Sequence, residues 1–97
     1  MTAELRLPRL LAEIANTGPA HPVVGSTVAE ALDDLFSQLP GLRNHVLDEA
    51  GAIRPHVSIF VDGYQAGLDT AVGGDAEIRI LHAVSGGGRD ETRSRLV

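Results

Sequence analysis

The chain has 97 residues, about one domain's worth of sequence, and a formal charge of −5 at pH 7 from 8 basic and 13 acidic residues. Every basic residue is arginine and cysteine is absent. This excludes a nucleic-acid binder working by bulk positive charge, a membrane-surface helix with a basic polar face, a disulfide scaffold, a thiolate zinc site and a cysteine nucleophile.

From the N-terminus, Ala3-Glu4-Leu5-Arg6-Leu7 alternates small or apolar with charged residues, the period of a half-buried strand, and Pro8 ends it. Leu10, Leu11 and Ile14 are spaced for a short helical turn or a packed loop, followed by the punctuation Asn16-Thr17-Gly18-Pro19. Pro22-Val23-Val24 reads as a short strand. Its proline cannot donate to a ladder, which places the strand at a sheet edge. Ser26-Thr27-Val28-Ala29-Glu30 has the form of a helix start, with Thr27 capping and Glu30 reaching back to the cap nitrogen. Val28, Leu32, Leu35, Phe36 and Leu39 then form one helix face that stops at Pro40-Gly41, with Asp33, Asp34 and Gln38 on the other.

Leu42 to Leu47 predicts a second short helix with Leu42, Val46 and Leu47 facing inward. His56 to Val61 is β-branched, and the Asp62-Gly63 that closes it signals a tight turn into a short return strand, Tyr64-Gln65-Ala66. Leu68 to Val72 forms a connector, Gly73-Gly74-Asp75 a turn, and Glu77 to Leu81 a last alternating strand. One long helix must then cover one face of a small mixed sheet. This is the α+β solution, and the element order is that of a β-grasp arrangement. Neither a signal segment nor a span of the roughly 20 apolar residues that cross a bilayer is visible; the expectation is a cytoplasmic protein without nucleic-acid or membrane partners.

Conventional catalytic constellations are weak. His21, His45, His56 and His82 lack metal-ligand spacing and read as surface or turn residues. Asp33-Asp34 and Asp48-Glu49 are not placed for the burial that splits the pKa values of an acid/base pair. No serine lies in a nucleophile elbow. The chain is expected to be neither an enzyme nor the holder of a metal or bound cofactor. What remains is Ala83-Val84-Ser85-Gly86-Gly87-Gly88, directly after the last strand. Taken alone, such a run reads as a linker to a polar tail.

In order and spacing, Ser26 to Leu32, Pro40 to Arg43, Val57 to Gly63, Gly67 to Val72, Gly74 to Leu81 and the closing Ala83-Val84-Ser85-Gly86-Gly87 resemble the MoaD/ThiS family of ubiquitin-like sulfur carriers. The subgroup approached is the one that supplies sulfur for cysteine or natural-product biosynthesis, and the resemblance runs from Ala3 to Gly87. It implies a ubiquitin-like β-grasp fold and a role as the substrate of a partner. A ubiquitin-activating-like adenylyltransferase uses ATP to adenylate the terminal carboxylate. A sulfur donor then displaces AMP, and the resulting thiocarboxylate passes sulfur to a biosynthetic enzyme. Gly86 and Gly87 would thread the tail into the activating enzyme, since they lack side chains that clash with a narrow channel, and Gly87 would carry the reacting carboxyl.

Two departures stand out. The family commonly has proline where this chain has His82, and ten residues follow Gly87 here. An internal peptide bond offers no carboxylate to adenylate. The reading is therefore a precursor, with a carrier domain over residues 1–87 and an extension over 88–97. The resemblance implies a zinc-dependent protease of the JAMM type for the cut. The third glycine leaves its position open by one residue, and the alignment of Ala83-Val84-Ser85-Gly86-Gly87 with the family's terminal pattern places it at the Gly87–Gly88 junction. The alternatives are a ubiquitin-like modifier conjugated through Gly87 and an interaction subunit whose diglycine is never used. Phe60, Leu81 and His82 are the residues expected to dock the activating enzyme, although Phe60 and Leu81 read more readily as core.

Overall fold

The computed structural model describes residues Thr2–His82. The alternating N-terminal segment is strand β1, Thr2–Arg6, with Ala3 and Leu5 turned inward. Helix α1, Arg9–Ile14, follows Pro8 and buries Leu11 and Ala12, while Leu10 and Ile14 stay exposed. Only one edge of this short helix meets the core, so the Leu10/Ile14 spacing marks its outer side.

Strand β2, Ala20–Val24, runs antiparallel to β1 and forms one edge of the sheet, as Pro22 requires. Beyond Pro22, the amide of Val24 donates to Asp34 Oδ2 at 3.0 Å, so a carboxylate from the neighbouring helix occupies that edge.

Helix α2, Val28–Gln38, buries Val28, Ala31, Leu32, Leu35 and Phe36. Its first-turn amides are all taken: Val28 and Ala29 donate to the carbonyls of Thr70 and Leu68 at 3.0 Å each, and Glu30 to Thr27 Oγ1 at 3.2 Å. The connector Leu68–Val72 is thus the lid on the helix start. The capping box closes one residue earlier than the sequence pattern predicts. Glu30 Oε1 accepts from the amide and hydroxyl of Ser26, at 2.8 and 2.9 Å, rather than from the Thr27 amide. These two bonds hold the Glu30 carboxyl below its ordinary value.

A 3₁₀ turn, Pro40–Leu42, leads into the short helix α3, Arg43–Val46, and Leu42, Val46 and Leu47 face inward as expected. Strands β3, Val57–Val61, and β4, Tyr64–Ala66, form a hairpin whose two turn residues, Asp62 (φ 51°) and Gly63 (φ 89°), both sit in left-handed space. Strand β5, Glu77–His82, pairs parallel with β1 and antiparallel with β3, giving the sheet order β2-β1-β5-β3-β4. This five-stranded mixed sheet, with its helices packed on the Leu5, Ile59, Ile78 and Ile80 side, is the β-grasp fold. The core is almost wholly aliphatic, as the composition demands, with Phe36 its one aromatic among the described residues. No helix among the described residues is long and apolar enough to cross a membrane.

Candidate functional site

Strand β5 is the middle strand of the sheet and the last described element, so the described chain ends at the centre of the sheet. Gly86, Gly87 and Gly88, with the proposed 87/88 domain boundary, lie outside the described residues.

The strand register sorts the expected docking residues onto two faces. Ser58 pairs with Leu81 and Phe60 with Arg79, and these four share the sheet face that no helix covers. Leu81 is 43% exposed and Phe60 half-buried, so neither belongs to the core, and beside Ser58 they make a small apolar patch near the end of β5. Toward the other end of that face, Arg6 reaches Glu4 Oε2 at 3.6 Å and Glu77 Oε2 at 3.0 Å, while Arg79 reaches Glu77 Oε2 at 3.4 Å. These partners are about half-exposed, so the pairs add little stability. Their effect is to leave the strip beside the patch with two positive and two negative charges. The acidic excess therefore sits elsewhere, on α2 and the loops.

His82 does not join the patch. One residue beyond Leu81, it turns to the opposite face, where its ring meets His56 edge-on, 4.7 Å between centroids and 86° between planes. Its Nδ1 is buried without a hydrogen-bond partner. Burial first, then the charges of His56 and His45, hold the imidazole below the ordinary histidine value. The two-residue alternation of the strand thus separates His82 from Phe60 and Leu81.

No group of three metal-ligating side chains comes together among the described residues. An open cavity of about 270 Å³ between the ends of α1 and α2 is lined by Ile14, Ala15, Leu39, Pro40 and Leu42 beside Gln38, without a titratable group. Asp33 is exposed on the outer side of α2; Asp34 and Asp48 are engaged by backbone amides. The described residues offer an apolar patch near the end of β5 and hold no assembled acid, base or nucleophile. The His56–His82 contact was invisible in the sequence, where the two residues stand far apart; only the Val57–His82 register brings them together.

Comparison with known proteins follows the same lines. No protein-family model matches the chain. It is 32% identical over 79 residues to small archaeal modifier protein 1 of Haloferax volcanii, covering 79% of this chain and 91% of that protein. The crystal structure of that modifier superposes with a TM-score of 0.82 at 30% identity, over 90% of this chain and 100% of the other. The solution structure of small archaeal modifier protein 1 from Methanosarcina acetivorans gives 0.76 at 29% identity, over 89% and 96% of the two chains. A chain of the Amycolatopsis orientalis BexX/CysO complex shares the fold, with a TM-score of 0.80 at 24% identity over 88% of this chain and 99% of that one.

Proposed function

Because this chain belongs to the family of ubiquitin-like small modifiers and sulfur carriers, we propose that it is the precursor of a carrier whose working group is the backbone carboxyl of Gly87. Hydrolysis of the Gly87–Gly88 peptide bond, by a metalloprotease of the JAMM type, separates the domain of residues 1–87 from the extension 88–97. The freed carboxylate attacks the α-phosphorus of ATP on a partner adenylyltransferase and expels pyrophosphate. A sulfide donor then attacks the acyl carbon and AMP leaves, so that one carboxyl oxygen is replaced by sulfur. The thiocarboxylate, a soft nucleophile, delivers that sulfur to a biosynthetic enzyme.

The observation that carries this reading is positional. The Ala83-Val84-Ser85-Gly86-Gly87 run begins directly after the central strand of a β-grasp sheet, beside an apolar patch on the uncovered face. The partner supplies ATP and the catalytic groups, and the carrier supplies a shape to grip and a carboxyl to react. Phe60 and Leu81 form the grip, with the neutralised Arg6/Arg79 strip as its rim.

A second reading is favoured by the name of the relative from Haloferax volcanii, a modifier. In it the same adenylate is captured by a lysine amine of a target protein, forming an isopeptide bond to Gly87 and releasing AMP. This chain has no lysine and so cannot extend itself through side chains. Both readings are tested with protein ending at Gly87, the activating enzyme of the same cell, ATP and sulfide. A mass gain equal to the difference between sulfur and oxygen establishes the carrier, and lysine-linked adducts in cells establish the modifier. If the protein never becomes adenylated, both are wrong and it serves as an interaction subunit.

A further inference from the structure

The end of β5 holds a group that lies off the Phe60/Leu81 patch. His82 occupies the position just before the tail, its ring packed edge-on against His56, with Nδ1 buried and unpartnered. A neutral imidazole tolerates this environment by keeping its proton on Nε2 and leaving Nδ1 bare. An imidazolium carries a proton on both nitrogens, and here the proton on Nδ1 would be a buried donor without an acceptor, which is costly.

The surroundings add no compensating charge. β3 offers Val57 opposite His82, the segment before it offers His56, and α3 brings His45, with Arg43 on the same helix and Arg54 in the intervening loop. None of the ion pairs among the described residues involves a histidine. The neighbouring His56 and His45 disfavour the charged form of His82 further.

We propose that His82 and His56 form a proton-sensitive clasp at the end of β5. With the rings neutral, His82 stays against His56 and β5 is paired with β3 to its last residue. Protonation drives His82 out to solvent and frays the ladder back toward Leu81, letting a partner reach further along the strand that carries the tail. The clasp is independent of the sulfur-carrier reading, while its consequence for the presentation of Gly87 rests on it.

The direction follows from proton linkage. The unfolded or frayed state binds the proton more readily, so the stabilisation by the clasp is complete above the ordinary histidine value of 6.5. It is lost as pH falls from there through the lowered value of the folded protein.

The test uses the full chain, isotopically labelled, with NMR titration of the His82 ring and amide hydrogen exchange at several pH values. The Asp62 amide bonds the Glu77 carbonyl at 2.9 Å, so strand alternation puts the last β3–β5 rung among the described residues at Ser58–Leu81. The expected result is a His82 ring titrating below the free imidazole. The intrinsic-rate-corrected protection of the Ser58 and Leu81 amides should fall tenfold for each unit of that difference. In His82→Gln the pH dependence should disappear, and in His56→Gln it should shrink. A ring that titrates at or above the free value overturns the clasp. So does pH-independent protection at Ser58 and Leu81, or a full pH response retained in His82→Gln. If His82→Gln does not fold, the wild-type agreement between ring titration and protection still decides.

Discussion

Gly25 joins β2 to α2, and replacing it with alanine is the sharpest test of how the strand is seated against the helix. Its φ is +155°, and an added Cβ would lie 2.7 Å from the Ala31 nitrogen, 2.8 Å from Glu30 Cβ and 2.9 Å from the Glu30 carbonyl carbon. Two of these atoms are backbone of the first turn of α2, whose amides are already committed to Thr27, Leu68 and Thr70. The neighbour therefore cannot yield without breaking the cap. The backbone strain is ~1–2 kcal/mol and the overpacking ~1–3 kcal/mol, so Gly25→Ala should cost about 2–5 kcal/mol. For a domain of this size that is a Tm loss of at least about 8 °C.

Two other glycines separate the causes. Gly63 has φ +89° and open space at its Cβ, so Gly63→Ala should pay the strain alone, ~1–2 kcal/mol. Gly18 has neither constraint, and Gly18→Ala should be neutral or stabilising by ~0.4–1 kcal/mol. Urea denaturation followed by circular dichroism ranks the three. If Gly25→Ala proves no worse than Gly63→Ala, the close approach of β2 and α2 described above is wrong.

The Ser26–Glu30 bonds predict an acid-side effect: stabilisation by Glu30 is complete above its ordinary value of 4.5 and is lost as pH falls through its lowered folded value. The drop in Tm on acidification should accordingly be smaller in Glu30→Gln than in the wild type; equal drops would remove Glu30 from the cap. On the uncovered face, Leu81→Ala should change stability by less than about 1 kcal/mol yet weaken capture of the Gly87-terminated protein by its activating enzyme ~10-fold or more. Tyr64→Ala, on edge strand β4, is the matched control. Loss of capture in both variants, or in neither, would separate the patch from docking.

Much of the fold was legible because it is local. Thr27 three residues before Glu30, Pro22 in a short strand and Asp62-Gly63 after a β-branched run each fix their own element through chemistry confined to a few residues. What escaped depends on register between distant segments. The face on which Phe60 and Leu81 fall is decided by the pairing of β3 with β5, and the separation of His82 from them by its alternation. The parallel β1–β5 pairing has no sequence mark at all. The turn from Ser26 to Glu30 shows the same limit at short range, since the pattern names the motif but the entry angle of the chain selects which amide Glu30 meets. The Gly86-Gly87 site was legible only as sequence and lies outside the described residues.

The place of β5 in the strand order has a mechanical consequence. The last strand among the described residues is inserted between β1 and β3, so two hairpins formed earlier remain unjoined until synthesis passes Glu77. Sheet closure must wait for the very strand that precedes the proposed carboxyl-bearing segment. Once the sheet is closed, a protein that draws on that end pulls along a strand held by a ladder on each side. Force reaches the centre of the sheet in shear, loading many hydrogen bonds together instead of peeling an edge one bond at a time.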